Sequence, residues 1–367
     1  MSYKVKIFGA GSIGNHLANA SRSLGWDVTI CDVDPEALRR TKEEIYPSRY
    51  GLWDDDIKLH LNDDAPKGNF DIIFIGTPPD HHNSLALSAL EELPKAILVE
   101  KPFCTPSLKD AQTLSSKAEK LGVSLFVGYD HVVGLATRKV AELIAQNIIG
   151  NVETLDVEFR EHWGGIFNAH PWLAGPQDSY LGYWERGGGA CGEHSHALNL
   201  WQHFAHLLCK GKVSEVSATM DMIEKDTLAY DKIAAINLTT ERDFKGRVIQ
   251  DVVTKPTRKW ARIQGTLGAI EWVCGSKPGT DTVYLELDDK NTEAFHFSKT
   301  RPDDFIAELS HIKRVLNNKS ANPQIISGQR GLETMMVISA AYKSHFTKNV
   351  VNINYSSGFD SEALTQA

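Results

Sequence analysis

A six-residue run, Gly9-Ala10-Gly11-Ser12-Ile13-Gly14, lies between an apolar stretch at residues 5–8 and an amphipathic stretch carrying Leu17, Ala20 and Leu24. The hydrophobic period changes from strand-like to helix-like across the glycines, so the run joins a β-strand to an α-helix. Gly9 permits the tight turn, Gly11 lets a pyrophosphate approach the backbone, and Gly14 lets helix and strand pack closely. Phosphate then meets the helix N-terminus, where backbone N–H groups point outward. The context specifies the first unit of a parallel α/β sheet that binds a dinucleotide, with Ser12 and Ile13 completing the loop against it.

The following segments continue that pattern. Residues 28–31 read as a second strand, and Asp32 stands where the adenosine ribose is expected. Its carboxylate accepts hydrogen bonds from both ribose hydroxyls and repels a 2′-phosphate, which favours NAD/NADH. Arg39 and Arg40 are placed to neutralise a phosphate, so NADP/NADPH stays open. Residues 71–75 form another apolar strand, ending in Gly76-Thr77-Pro78-Pro79 and followed by His81, His82 and a leucine-rich helix. Thr77, Pro78 and Pro79 shape a wall of the cofactor site, and His82 caps the cofactor or the next helix.

Residues 96–99 lead into Glu100-Lys101-Pro102 at a further strand end, where Glu100 and Lys101 border the cofactor. A lysine there is suited to orient a substrate hydroxyl or carbonyl, and a proline beside it, in a cis bond, would hold it in one position. Ser107 and Asp110 offer a capping box for a helix carrying Leu108, Ala111, Leu114, Ala118 and Leu121. A strand at 124–127 then reaches Gly128-Tyr129-Asp130-His131, read as the crossing between domains 1–128 and 129–367.

The 367 residues suit two domains, and a composition of 42% hydrophobic and 23% charged residues supports substantial cores. A formal charge of -8 argues against a broad nucleic-acid groove. No signal sequence and no apolar run of membrane-spanning length are read, so a cytoplasmic setting without a membrane partner is the default. Cys31, Cys104, Cys191, Cys209 and Cys274 have no zinc or redox-pair spacing. No metal is expected.

In the second domain Gly187-Gly188-Gly189 opens a helix with apolar positions at Ala190, Ala197, Leu198, Trp201, Ala205 and Leu208. Glu193 and His196 fall one helical turn apart, whereas His194 projects to the apolar side and packs. His196 is suited to take a proton from a substrate alcohol and return it, with Glu193 orienting the imidazole. Ahead of this helix, His170, Trp172 and Tyr183 are candidates to cover a polyol, and Arg160, His162 and Arg186 to meet an anionic substituent. Strand patterns at 213–220, 233–238, 247–253, 260–264, 282–287 and 294–298 supply a broad sheet. Ile306, Leu309, Ile312 and Leu316 stripe a later helix, and the polar residues after Tyr355 read as a tail or oligomer arm.

Taken together, the 9–14 run, Thr77-Pro78-Pro79 with His82, Glu100-Lys101-Pro102, and Gly187-Gly188-Gly189 with Glu193 and His196 resemble the glucose-fructose oxidoreductase, inositol dehydrogenase and rhizopine-catabolism family, Gfo/Idh/MocA. The resemblance covers nearly the whole chain. It implies an N-terminal Rossmann domain and a C-terminal α/β domain with a large open, mostly antiparallel sheet that often supports homodimers or homotetramers. It also implies hydride transfer at a sugar, sugar acid, cyclitol or nucleotide-sugar carbon. Many relatives have Asp-x-x-x-His here, whereas Gly192-Glu193-His194-Ser195-His196 resembles a Gly-Glu-x-x-His version, which weakens an inositol assignment. Two alternatives are a tightly held NADP that shuttles electrons between carbohydrates and a nonenzymatic dinucleotide-dependent sensor.

Overall fold

The computed structural model describes residues 2–168, 170–288, 290–318 and 325–367. The chain forms two compact units. The first contains residues up to Cys104, Asp110–Asp130 and Arg301–Gly331. Its sheet comprises β1 (Lys4–Phe8), β2 (Asp27–Asp32), β3 (Lys58–Leu61), β4 (Ile72–Ile75), β5 (Ala96–Val99) and β6 (Ser124–Val127). The order is β3-β2-β1-β4-β5-β6, with every neighbouring pair parallel. β4 and β5 are buried at every position, as expected of parallel strands covered on both faces. Strand order reverses between β1 and β4, so the loops leaving these strands border the crevice where such sheets bind ligands.

Two local expectations in this unit are corrected. The helix after β5 is Ala111–Leu121, and its cap residue Asp110 makes no side-chain cap bond. Leu108 and Asp110 both take left-handed backbone angles (φ 58° and 60°), which turns Ser107 away from the helix start and excludes Leu108 from the helix. The helix Arg301–Asn317 buries Phe305, Glu308, Leu309 and Ile312, while Ile306 and Leu316 are only partly covered. Its inward stripe is therefore rotated from the expected one and includes a carboxylate. Within the same unit, His16 stacks on Phe305 at 4.6 Å between ring centroids, and Tyr3 Oη donates to Asn317 Oδ1 at 2.9 Å.

The second unit contains β7 (Val152–Arg160), β8 (Val213–Lys225), β9 (Leu228–Thr240), β10 (Lys245–Asp251), β11 (Arg258–Gly265), β12 (Gly268–Lys277), β13 (Thr280–Leu287), β14 (Glu293–Ser298), β15 (Val351–Ile353) and β16 (Leu364–Gln366). They form one sheet, ordered β14-β13-β12-β11-β7-β10-β9-β8-β15-β16. Among the described residues only β7 and β10 pair parallel; the other neighbours are antiparallel. Leu155, Val157 and Phe159 alternate inward along β7, the period-two signature of a sheet with one buried face. The helix His196–Leu207 covers that face, and Trp201 Nε1 donates to Leu155 O at 2.9 Å. The polar C-terminal segment is not a free tail: Asn354 and Asp360 cap two short turns, and β16 returns antiparallel to β15 at the sheet edge. No helix among the described residues is long and apolar enough to cross a membrane.

Candidate functional site

In the first unit, the glycine run turns from β1 into the helix Ser12–Ser23. Gly9 has φ 106°, and a Cβ on Gly14 would lie 2.0 Å from Gly9 O, so the turn and the close helix approach both require glycine. At Gly11 the space is open, with no heavy atom within 4 Å of a Cβ position. No side chain caps the helix at Gly11, which leaves its first N–H groups directed at that space. An open approach to uncapped N–H groups fits a dinucleotide pyrophosphate.

Asp32, at the end of β2, accepts from Ala10 N at 2.7 Å and Asp34 N at 2.9 Å through different oxygens. These bonds fix the carboxylate beside the glycine turn. Arg39 pairs with Glu36, Glu43 and Glu44, and Arg40 with Asp34, so both guanidiniums already face carboxylates.

The loops after β4 and β5 are joined by His82. Its ring is fully buried, with Nε2 2.7 Å from Thr77 O and Nδ1 3.0 Å from Pro102 O. Burial pushes its pKa down to about 4, so the ring is neutral and donates to one of the two carbonyls at a time. His82 thus acts as a strut between the Thr77-Pro78-Pro79 turn and the Glu100-Lys101-Pro102 turn. The Lys101–Pro102 bond is cis, and Lys101 is half-buried at the end of β5.

Behind Lys101 lies a set of buried acids. Glu100 Oε2 accepts from Lys101 N at 3.3 Å. Burial, followed by the charge of Asp130, raises the Glu100 pKa, and Lys101 and Arg301 oppose that rise. Glu308 is raised well above the usual carboxylate range, first by burial and then by Glu100 and Asp130. Arg301 Nη1 lies 3.5 Å from Asp130 and 3.6 Å from Asp304.

In the second unit, the expected single helix is two: Gly189–Glu193 and His196–Leu207, separated at His194 and Ser195. The chain bends because His194 leaves helical geometry (φ -98°, ψ 23°) while both it and Ser195 are packed inward. From Gly187 to Gln202 every residue is buried except Glu193 and His196. Glu193 therefore ends the first helix and His196 opens the second, so they do not share one helical face as expected, and each is partly exposed. Gly192 packs where a Cβ would lie 1.9 Å from Gly187 O, so the position has no room for the aspartate of the commoner family pattern.

His196 stands among aromatic rings. His131 meets it edge-to-face at 4.8 Å, and Phe159 lies nearly parallel to it at 6.4 Å. The flanking candidates occupy varied settings. Arg160 Nε is bound to the buried Asp251 at 2.6 Å and leans toward Glu158 at 3.7 Å, which leaves little net positive charge for a substrate anion. His162 Nδ1 accepts from Gly164 N at 2.8 Å. His170 and Trp172 form an edge-to-face pair at 5.4 Å, and the Arg186 guanidinium lies 5.7 Å from the Tyr183 ring.

Residues 3–129 match the oxidoreductase family with an NAD-binding Rossmann fold, GFO_IDH_MocA, and residues 137–271 match the GFO/IDH/MocA C-terminal domain. The chain belongs to the Gfo/Idh/MocA family. This Gfo/Idh/MocA protein is an oxidoreductase with an NAD-binding Rossmann domain and a second, mostly antiparallel sheet. It is 35% identical over 100 residues to the uncharacterized oxidoreductase YdgJ of Escherichia coli K12, a match spanning 27% of this chain and 28% of that protein. An oxidoreductase from Agrobacterium radiobacter, solved with NAD+, L-tartaric acid and magnesium, has a similar fold: TM-score 0.75, 20% identity, 96% of this chain and 98% of that one. The WlbA dehydrogenase from Bordetella pertussis, solved with NADH and UDP-GlcNAcA, aligns with TM-score 0.71 and 20% identity over 96% and 99% of the two chains.

Several buried polar residues of the two units lie outside the expected set. Asp130 and His131 stood out in the sequence only as a domain crossing. Glu308 carried a usable signal, since it falls on one helical face with Phe305, Leu309 and Ile312. Asp231, Gln250 and Tyr342, described below, carried none, because their partners come from distant parts of the chain.

Proposed function

We propose that this oxidoreductase moves hydride between NAD(H) and an alcohol or carbonyl carbon of a sugar, sugar acid, cyclitol or nucleotide sugar. The observation that carries this reading is the partial exposure of Glu193 and His196 in an otherwise buried segment, which suits a general acid–base group and its support. NAD supplies the hydride acceptor when bound, and NADH the donor. In the oxidative direction Lys101 orients the substrate oxygen and His196 takes its hydroxyl proton through Nε2, since Nδ1 is buried. Glu193 favours the resulting imidazolium, and in reduction His196 returns the proton. His170, Trp172, Tyr183 and Arg186 contact the remainder of the substrate. Two solved structures of similar fold contain NADH with a nucleotide sugar and NAD+ with a hydroxy acid, which supports a polyhydroxylated substrate class.

Asp32, together with the pairing of Arg39 and Arg40 to carboxylates, supports NAD over NADP. The cysteines are all free thiols, in keeping with a reducing cytoplasm. The open ten-stranded sheet supports assembly as a homodimer or homotetramer, which light scattering would check.

Lys101→Ala and His196→Ala test the roles directly. Each variant should lose on the order of 100-fold or more in turnover across an NAD+-coupled carbohydrate panel, while NADH binding by fluorescence stays near wild type. Wild-type turnover in either variant would remove that residue from the mechanism.

A further inference from the structure

The short helix Gly189–Glu193 cannot hold itself in place, since five residues close barely one turn. Two buried polar side chains from adjacent strands hold it instead. Asp231 of β9 accepts from Cys191 N at 2.8 Å through Oδ2, and Gln250 of β10 donates through Nε2 to His194 O. Both side chains are completely buried. The two bonds pin the chain on either side of Glu193, two residues before it and one residue after it.

Asp231 does more than accept one bond. Its Oδ1 accepts the Tyr342 hydroxyl at 2.6 Å, and Tyr342 is itself buried on the helix Gly328–Thr347. Tyr342 packs on Trp184 with ring centroids 4.6 Å apart, and Trp184 sits between Tyr183 and Arg186. The carboxylate therefore ties the proposed acid–base segment to the loop carrying proposed substrate contacts. Gly189 is cut to fit this arrangement: it has φ 73°, and a Cβ there would lie 1.9 Å from Asp231 Oδ1. Burying a carboxylate costs several kcal/mol unless its hydrogen bonds compensate. Here both oxygens are used, one by each element being aligned.

We infer that Asp231 and Tyr342 are positioning residues for turnover, setting the place of Glu193 and His196 through the Cys191 N–H and coupling it to the Tyr183–Arg186 loop. The inference rests on the proposed roles of Glu193 and His196. Asp231 touches neither substrate nor cofactor; it acts through the backbone.

The test uses the full-length protein with Asp231→Asn and Tyr342→Phe, alongside His196→Ala. Asp231→Asn presents an N–H group within the same volume, so it cannot accept both bonds as the carboxylate does. Amide hydrogen exchange of the 188–196 segment should accelerate about tenfold or more in Asp231→Asn and less in Tyr342→Phe. With the panel sugar that wild type oxidises fastest, kcat should fall roughly 10- to 100-fold in Asp231→Asn, with KM and the NADH Kd within about threefold. Tyr342→Phe should lose roughly three- to tenfold in kcat and remain folded if Asp231→Asn does not. Unchanged exchange in folded Tyr342→Phe, or wild-type kcat in it while His196→Ala is inactive, overturns the positioning role. Full activity of His196→Ala instead overturns the acid–base assignment, and the exchange measurement still decides whether Asp231 and Tyr342 hold the segment.

Discussion

His82 Nδ1 lies 3.0 Å from the carbonyl oxygen of Pro102, while the opposite ring nitrogen lies 2.7 Å from Thr77 O. One imidazole thus spans the two turns that follow neighbouring strands. His82→Leu keeps much of the volume and removes the donor, leaving buried carbonyls short of a partner at a cost of about 1–3 kcal/mol. Thermal unfolding should show that loss, and steady-state kinetics should show a raised NAD+ KM because both turns border the cofactor crevice. Unaltered melting and kinetics would deny His82 the strut role.

Glu308 provides a pH test. Neither of its oxygens has a hydrogen-bond partner among the described residues, and burial beside Glu100 and Asp130 raises its pKa well above the usual carboxylate value. The folded state therefore holds the Glu308 proton more tightly than the unfolded chain does. Its contribution to stability is full below the unfolded carboxylate pKa and is lost as pH rises toward the folded value. Glu308→Gln removes the ionisable proton, so its stability should fall less steeply than that of wild type as pH rises above the ordinary carboxylate range. Denaturant titrations at a series of pH values measure the two slopes, and parallel slopes would contradict the assignment.

Cofactor choice should respond to Asp32. Asp32→Ala removes the carboxylate that would meet the ribose hydroxyls or repel a 2′-phosphate, and it also frees Ala10 N and Asp34 N from their acceptor. The ratio of NADPH to NADH dissociation constants, read by fluorescence titration, should fall by about tenfold or more. An unchanged ratio would place the selectivity elsewhere.

The parallel sheet and its glycine turn were legible because adjacent residues carry the signal: an apolar strand, glycines at fixed spacing, then an amphipathic helix. The place of Lys101 just past a strand end was legible for the same reason. The break at His194 and Ser195 was hidden because the apolar positions on either side continue a helical period, so one helix explained them equally well. Arg160 read as a free cation until the parallel register of β7 and β10 set Arg160 opposite Asp251. Asp231 and Tyr342 are 111 positions apart, and no local pattern marks either as polar core. Local patterns were thus readable, whereas a buried acid whose partner comes from a distant strand or helix was not.

The helix Arg301–Asn317, which completes the first unit with its Phe305 stacked on His16, also imposes a schedule on synthesis. About 170 residues separate Asp130 from Arg301, so at typical elongation rates roughly ten to thirty seconds pass between emergence of the last parallel strand and arrival of the helix that covers this side of the nucleotide fold. During that interval the face of the helix Ser12–Ser23 that later receives Phe305 stands uncovered on the ribosome, a window in which a chaperone that recognises such surface would be expected to engage it.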